Sequence, residues 1–443
     1  MRLLTLGPSP ARTGPQLDLA APAARIDAVG LLTGYLFLLM AIPSALVVGS
    51  FGAAGAPAAL FGAILFCWYV AARQHPAMAL DRGQQPVRVA AVLFGCVIIA
   101  AYISVSRTAM PSLQVNGANR GVISLAGWLG VLLLAADGID GMSRLGTLLR
   151  RIVIGATAMA VTGIVEFFTR LNFAQYITIP GLSVQPQVTD LLTRDGLVRV
   201  MATAGEPLEF SAVLAMSLPL AIHQARFAPP ALRKRRWLQV GVIAATMPLS
   251  GSRAAIFGLA VTCVVLIPTW SKRDRHRAYL ALAAAPGLVW LAEPRLLTDF
   301  VGLFSHLGTD ASSQSRTRAY SEAAPFIGQH PWLGAGFGTF FPQTYFFIDN
   351  QYLTSLVETG VVGLVALVAL FATGWLAARS ARLATVDAQT RDLAQCLAAS
   401  VAVAAVCFVT FDALSFSIAA GLCFLLLGCV GALWRLTRGS PAG

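Results

Sequence analysis

The sequence predicts an all-α integral membrane protein, and three observations lead to this prediction. Of its 443 residues, 57% are hydrophobic and only 12% are charged, which is far less charge than a soluble protein carries. The mean hydropathy is +0.71. Apolar runs of about 20 residues, the length that crosses the hydrocarbon core of a bilayer, recur along the chain. The seven cysteines fall inside these runs without metal-ligand spacing, so we interpret them as core-facing or lipid-facing residues.

Twelve apolar runs qualify as spanning helices, the seventh and ninth only just: 28–48, 54–72, 87–105, 120–136, 152–168, 207–224, 237–250, 254–270, 278–292, 353–377, 393–411 and 413–434. Basic residues test this count, because cytoplasmic loops carry an excess of positive charge. With both termini in the cytoplasm, 23 of the 32 basic residues lie on the inner side. Removing one helix would reverse the later loops and lose this bias. We therefore predict about 12 transmembrane helices, N-in and C-in. This topology accounts for the net charge of +12 without a nucleic-acid partner.

Four segments follow from this topology. Residues 1–27 form a proline-containing tail that we predict to be disordered and cytoplasmic. Residues 28–292 hold helices 1–9 with an outer loop at 169–206. Residues 293–352 form a large extracytoplasmic loop between helices 9 and 10, and residues 353–443 hold helices 10–12 and a short cytoplasmic tail. Long loops among otherwise short connections usually have a functional role.

The second outer loop runs into the stretch from His330 to Gly363, which is the most distinctive part of the sequence. It begins with glycines at alternate positions (Gly334, Gly336 and Gly338), passes through several aromatic residues, and reaches Asp349 and Asn350 before a long apolar run. Asp349 has two interpretations, as the N-cap of the tenth helix or as a general base for a hydroxyl proton. Glu358 lies inside that helix, where an ionisable residue is a functional candidate.

Arginines on the outer side form a second candidate group. Arg253 lies in a tight hairpin, Arg199 precedes the sixth helix, and Arg316 and Arg318 precede the glycine loop. A single arginine near the membrane interface can simply extend its charge to the headgroups. Several of them on the side that disfavours positive charge indicate an anion, and guanidinium groups bind phosphate oxygens in pairs. A diphosphate is therefore the predicted ligand.

The sequence predicts neither a metal nor a cofactor. Only His306 and His330 among the histidines face outward, neither has other ligand residues near it in sequence, and no Asp-x-Asp pair is present on that side. The segment 313–329 predicts a helix that places Arg316 and Tyr320 on one face.

These residues together resemble the O-antigen ligase and O-antigen polymerase family of bacterial membrane glycosyltransferases. That family has His followed by Asn, Ser or Gln, then nine residues and G-x-x-G; here Asn350 is followed by nine residues and then Gly360 to Gly363. An upstream R-x-x-x-w-x-x-A element and a P-x-x-G-x-G-x-G-x-F element match the following residues: Arg316, Tyr320, Ala323, Pro331, Gly334, Gly336, Gly338 and Phe340. Ser252-Arg253-Ala254 matches the family's hairpin, and Arg199 with Pro207 matches an R-(x7)-P element.

The resemblance implies a metal-independent, inverting transferase on the outer face of the bacterial plasma membrane. Its substrates would be a polyprenyl-diphosphate-linked glycan donor and a glycan acceptor, with a chain-length regulator as a candidate partner. Asp349, Arg199 and Arg253 are then the predicted catalytic residues. The predicted substrate-binding residues are Arg316, Arg318, Tyr320, Asn350, Glu358, Glu206, Gly336 and Gly338. This chain has Asp349 where the family has histidine, a variant that looks more like exopolysaccharide or capsule polymerases.

Three functions stay open at this point. The first is a polymerase that joins repeat units of a surface polysaccharide or exopolysaccharide. The second is a ligase that moves glycan to a lipid or protein acceptor, and Asp349 is the one feature that separates it from the first. The third is a polytopic transporter or lipid-glycan flippase, which would need charged residues deep in the membrane; the sequence offers Glu358 and Glu166.

Overall fold

The computed structural model describes residues 27–74, 83–106, 111–184, 193–194, 197–292, 311–342 and 344–439. Within these residues the chain folds into helices: α1 (Ala28–Ala41), α2 (Pro57–Gln74), α3 (Pro86–Ser106), α4 (Ser112–Gly138), α5 (Met142–Thr169), α6 (Pro207–Arg226), α7 (Pro230–Thr246), α8 (Arg253–Leu266), α9 (Lys272–Ala292), α10 (Ala311–Gln329), α11 (Gln351–Ala384), α12 (Ala388–Cys407) and α13 (Ser417–Gly439). Two short antiparallel pairs complete it, β1 (Leu46–Val47) with β2 (Ser183–Val184), and β3 (Thr193–Arg194) with β4 (Leu197–Val198).

Local sequence explains where many of these helices begin. α2, α3, α6 and α7 each start at a proline, whose fixed φ and missing N–H suit the first helical turn. Side-chain oxygens cap others. Asp27 accepts the N–H of Val29 at the start of α1, and Asp387 accepts the N–H of Thr390 in α12. These caps satisfy N–H groups that have no partner within the helix.

The all-α membrane prediction is confirmed in its coarse form. Each of the twelve predicted apolar runs overlaps a helix. Seven helices in the described residues are long and apolar enough to cross a bilayer: α3, α4, α5, α6, α11, α12 and α13. α1 and the helical stretch Arg253–Thr269 are shorter apolar helices. Twelve crossings with both termini inside stay a prediction. The tail 1–26 and residues 293–310 of the large outer loop lie outside the described residues.

Small residues allow the spanning helices to pack closely. α2 and α4 meet at Gly62 and Gly127, where a Cβ on Gly62 would lie 2.7 Å from the carbonyl oxygen of Gly127. Such small-residue contacts are typical of helix pairs in membranes, where backbones must approach for van der Waals packing. α4, α6 and α13 are the most buried of the candidate spans.

The two ends of the bundle differ in character. At one end lie residues 199–206, 249–253, 331–350 and 408–416, which we call the loop end. The opposite end holds buried ion pairs, including Asp137 with Arg73 at 3.2 Å and with Arg88 at 2.7 Å. The candidate functional residues therefore collect at one end of the bundle.

Candidate functional site at the loop end

The glycine loop is hydrogen-bonded to a break in α11. Gly360 has φ 65° and ψ −167°, which interrupts the helix. The carbonyls of Val357 and Glu358 consequently accept the N–H groups of Ala335 and Gly336 at 2.9 and 2.8 Å. These hydrogen bonds join the glycine loop to α11, the two segments that carry separate motifs of the family resemblance.

The same break exposes N–H groups on its other side. Val361 and Val362 donate to the carbonyls of Pro331 and Trp332 at 2.8 and 3.2 Å. A Cβ on Gly360 would lie 2.3 Å from the carbonyl carbon of Trp332. The backbone of this region therefore fits only with glycine at position 360.

Gly336 and Gly338, predicted to bind substrate, lie against neighbouring helices in this structure. Both have positive φ, 106° and 74°. A Cβ on Gly336 would lie 2.9 Å from a methyl group of Val105 in α3, and one on Gly338 would lie 2.7 Å from the carbonyl oxygen of Gly117 in α4. Their observed role is to let the loop pack between α3, α4 and α11. Direct contact with substrate stays a prediction.

Glu358 is a buried carboxylate that holds the same loop. Its Oε1 accepts the N–H of Phe340 at 3.2 Å, and its side chain is largely hidden, at 5% exposure. The structure thus gives Glu358 a positioning contact, while contact with substrate stays a prediction.

The start of α11 separates the roles of Asp349 and Asn350. The side-chain oxygen of Asn350 caps the helix by accepting the N–H groups of Tyr352 and Leu353, at 3.0 and 3.3 Å. The interpretation of Asp349 as the N-cap is therefore wrong. Asp349 is half-buried and lies one residue before the cap; its role as a base stays a prediction.

α10 packs against this helix start. Its Ala319 and Ala323 are buried with Ile348, Leu353 and Val357. Tyr320 lies at the edge of this contact, where its hydroxyl accepts a hydrogen bond of 3.0 Å from the amide nitrogen of Asn350.

The remaining predicted residues of α10 are placed as follows. The predicted helix 313–329 is confirmed by α10 (Ala311–Gln329). Arg318 is exposed. Arg316 belongs to α10, and its side chain lies outside what the structure describes.

Arg199 is hydrogen-bonded to the hairpin that leads into Arg253. The Nε–H of Arg199 donates to the carbonyl of Ser250 at 2.9 Å. Gly251 has φ 57°, and a Cβ at this position would lie 3.4 Å from the Arg199 side chain. Arg253 opens α8, is 7% exposed, and follows the capping residue Ser252.

This arrangement favours an anion. Helix N-termini carry a partial positive charge, so a cation at the first residue of α8 is electrostatically unfavourable unless negative charge is close by. Backbone N–H groups at a helix N-terminus are also suited to phosphate. Two guanidinium groups beside such a terminus can hold the oxygens of a diphosphate.

The segment that carries Arg199 is fixed by two buried glutamates. Oε2 of Glu166, in α5, accepts the N–H groups of Met201 and Ala202 at 3.2 and 2.8 Å. Ala202 has φ 51°, a left-handed conformation that is costly for a residue with a side chain. The carboxylate therefore holds a strained turn three residues from Arg199.

Glu209, in α6, fixes the other end of this segment. Its Oε2 accepts the N–H of Gly205 at 2.8 Å, and its Oε1 accepts those of Ile418 and Ala419 at 2.7 and 3.1 Å. The latter two N–H groups belong to the first turn of α13. One carboxylate thus joins the arginine segment to the last helix.

Three further carboxylates come from distant segments. Burial raises the pKa of Glu206, repulsion from Asp349 raises it further, and Arg199 opposes the rise. Burial raises the pKa of Asp412 to about 7, with hydrogen bonds at Ser415 and the Asp412 backbone opposing the rise and Asp349 and Glu206 adding to it. Asp349 and Glu206 therefore influence Asp412 electrostatically, while Asp349 and Arg199 influence Glu206.

Gln351 holds the segment that carries Asp412 next to the start of α11. Its backbone N–H donates to the carbonyl of Phe408 at 2.8 Å, and its side-chain oxygen accepts the N–H of Leu414 at 2.8 Å. The connection between α12 and α13 is thereby fixed to the start of α11. Asp412 is not among the site residues predicted from the sequence, where its signal is a carboxylate in a short connection on the predicted outer side.

One group in the described residues offers three metal-ligand types. His223, Asp392 and Cys396 place their ligand atoms within 4.8 Å of one another. They lie at the end opposite the loop end, where Nδ1 of His223 is 2.7 Å from Asp392 and Arg226 also pairs with Asp392. This group is separate from the candidate site.

Comparison with known proteins supports the family resemblance. Residues 239–368 match the family model described as O-Antigen ligase, which confirms over these residues the resemblance drawn from the motifs. No curated protein matches the chain. Among matching solved structures, one described as "Structural coordination of polymerization and crosslinking by a peptidoglycan synthase complex" contains a chain that is 16% identical. The match covers 82% of this chain and 100% of that one, with a TM-score of 0.45.

Proposed function

We propose that this chain, whose residues 239–368 carry the O-antigen ligase match, polymerises polyprenyl-diphosphate-linked glycans on the extracytoplasmic face of the bacterial plasma membrane. The observation that carries the proposal is the hydrogen bond from Arg199 to the hairpin that leads into Arg253. Glu206 feels the charges of both Arg199 and Asp349, and Asp412 those of Asp349 and Glu206. Cations for a diphosphate and a base for a hydroxyl are the two requirements of this transfer.

In the proposed reaction the arginines bind the diphosphate of the donor. A hydroxyl oxygen of the acceptor forms a bond to the anomeric carbon of the donor sugar, and Asp349 accepts the hydroxyl proton. The bond between that carbon and the diphosphate oxygen breaks, and its electron pair stays on the diphosphate. Attack opposite the leaving group inverts the anomeric configuration.

Arg199 and Arg253 act most strongly as this bond breaks. Negative charge grows on the diphosphate oxygen during the transfer, and fixed positive groups aimed at growing charge lower the barrier. Glu166, Glu209 and the Ser250–Ser252 hairpin hold the arginine segment in place before the substrate binds. This arrangement avoids reorganisation during the reaction.

The carboxylate of Asp412 influences the electrostatic environment of Asp349, the proposed base. The pKa of Asp412 of about 7 means that this group is substantially protonated near neutral pH. A neutral Asp412 adds no negative charge next to Asp349, the proposed proton acceptor.

The ligase and transporter alternatives differ in their support. A ligase uses the same donor chemistry, so the acceptor alone distinguishes it from a polymerase. A transporter depends on charges deep in the membrane, and the two candidates, Glu166 and Glu358, instead accept loop N–H groups. That observation favours the enzyme.

Complementation of a deletion strain tests the proposal. We expect Asp349→Asn to abolish long polymer while lipid-linked single repeat units accumulate, and Asp140→Asn, an exposed carboxylate at the opposite end, to restore normal polymer. Unchanged polymer length with Asp349→Asn would exclude Asp349 as the base. Loss of glycan attachment with normal chain length would indicate the ligase.

A further inference from the structure

A groove of about 1110 Å³ runs between α3 and α11. Its sides include Leu93, Val97 and Ala100 of α3, with Val365 and Ala366 of α11. From Arg88 to Ala100, α3 lines the groove over about 18 Å at 1.5 Å per residue. That distance is more than half the hydrocarbon thickness of a bilayer, so the groove has the length and polarity of a site for one lipid chain.

One end of the groove opens beside the glycine loop. Leu333 lies at this end, together with Val362. Both neighbours of Leu333 contact α11. The carbonyl of Trp332 accepts the N–H of Val362, and a Cβ on Gly334 would lie 2.2 Å from the carbonyl carbon of Glu358. A lipid chain in the groove would therefore deliver its headgroup to the loop that leads to Asp349.

The groove lies away from the two arginines. α11 packs against α3 on one side and against α12 on another, while α12 packs against α6 and α8. α11 and α12 thus stand between the groove and the hairpin that Arg199 contacts and that leads into Arg253. A lipid whose diphosphate is held by those arginines has its chain on the other side of this helix pair.

A separate cation lies near the loop end of α3 and α4, outside the residues that line the groove. Tyr102 of α3, two residues beyond Ala100, donates to the side-chain oxygen of Asn119 in α4 at 2.8 Å. Arg120 follows Asn119 and is half-buried at the loop end of α4. It supplies positive charge at the level where a lipid headgroup would lie.

We infer that the α3–α11 groove binds the polyprenyl chain of the second substrate, the lipid-linked acceptor. The inference rests on the proposed function, because a polymerase that joins two lipid-linked glycans must hold two lipid chains at once. The arginine hairpin then serves the donor, and the groove with Arg120 serves the acceptor. The two sugars meet at Asp349 from opposite sides of α11 and α12.

Comparing a lipid-linked acceptor with a lipid-free acceptor tests whether the groove holds the acceptor chain, the donor chain or bulk membrane lipid. Purified protein in proteoliposomes receives a labelled polyprenyl-diphosphate glycan donor and the same acceptor glycan, either linked to polyprenyl diphosphate or free of lipid. Ala366→Trp and, independently, Ala100→Trp fill the groove. Val368→Trp is the matched control, because Val368 is exposed on α11 outside the groove.

We expect both groove variants to lower transfer to the lipid-linked acceptor about tenfold or more and to leave transfer to the free glycan within about twofold. Equal loss with both acceptors would place the donor chain in the groove and overturn the inference. No loss with either would mean that the groove holds only bulk membrane lipid, which also overturns it.

Native mass spectrometry gives a readout that does not need activity. Wild-type protein and the Val368→Trp control should retain two polyprenyl-diphosphate molecules, and the groove variants should retain one. A wild type that binds two such lipids but transfers no sugar would contradict the proposed function and leave the groove assignment standing. A groove variant that still binds two would overturn the groove assignment alone.

Discussion

The N–H of Gly336 donates a hydrogen bond of 2.8 Å to the carbonyl of Glu358. The bond exists because Gly360, two residues further along, leaves the helical conformation and frees that carbonyl. The glycine loop is therefore hydrogen-bonded to the first part of α11, and we expect the position of Asp349 to depend on this contact.

Gly360→Ala tests this dependence. The backbone conformation at Gly360 is one that only glycine adopts readily, and other residues incur a cost of about 1–3 kcal/mol there. A new Cβ would also lie 2.3 Å from Trp332. We expect transfer to fall by about tenfold or more and the melting temperature to drop by several degrees.

Gly146→Ala is the control for this change. Gly146 lies inside α5 with no other atom within 4 Å of its Cβ position. Alanine in a helix interior is more stable than glycine by about 0.5–1 kcal/mol. A Gly360→Ala protein as active and as stable as Gly146→Ala would refute the requirement for the break.

The turn at Ala202 gives a second test. Glu166 holds this residue at φ 51° through two backbone hydrogen bonds. Glycine relieves the strain, so Ala202→Gly should keep activity, whereas the β-branched Ala202→Val should lower it about tenfold or more. Transfer rate and thermal melting of the purified variants measure both effects. Equal activity of Ala202→Val and Ala202→Gly would show that the turn does not position Arg199.

The fold could be predicted from the sequence because it depends on local pattern. Apolar runs and the starting prolines are visible in the chain, and each predicted run overlaps a helix. The sequence also predicts Arg199, Arg253 and Asp349 as site residues, because cations on the outer side and an acid at a helix start are unusual; their roles stay predictions.

The supporting contacts were not predictable. Glu166 and Glu209 accept N–H groups from segments far away in the sequence, and such pairing leaves no periodic signal. Asp412 joins the site only because Gln351 fixes the connection between α12 and α13. The exchange of hydrogen bonds around Gly360 likewise requires the folded chain.

Arginine substitutions test the diphosphate site. Arg253→Lys keeps the charge but loses the planar fork that binds two oxygens, so we expect a loss of about 1–3 kcal/mol in transition-state stabilisation, roughly tenfold to a hundredfold in rate. Arg253→Ala should lose more. Arg391→Ala, an exposed arginine at the opposite end, is the control. The release of polyprenyl diphosphate in single-turnover assays measures the effect, and equal rates for Arg253→Ala and Arg391→Ala would exclude the proposed site.

The raised pKa of Asp412 predicts how the stability of the folded protein depends on pH. Its folded-state pKa of about 7 is above the ordinary value for aspartate, so the folded protein binds a proton that the unfolded chain has released. The resulting stabilisation is present in full below about pH 4, the unfolded pKa, and is lost as the pH rises through about 7.

The variant Asp412→Asn removes this titration. We expect its melting temperature, relative to wild type, to be several degrees higher at pH 8 than at pH 5. Parallel melting curves across this range for wild type and variant would contradict the raised pKa.

The central claim is that Asp349 removes a hydroxyl proton while Arg199 and Arg253 hold the departing diphosphate. The most direct measurement is reconstituted transfer in proteoliposomes with a defined polyprenyl-diphosphate glycan, following product glycan and free polyprenyl diphosphate together. We expect Asp349→Asn to bind donor with wild-type affinity but to form both products at least about a thousandfold more slowly. Wild-type rates of both products from Asp349→Asn would contradict it.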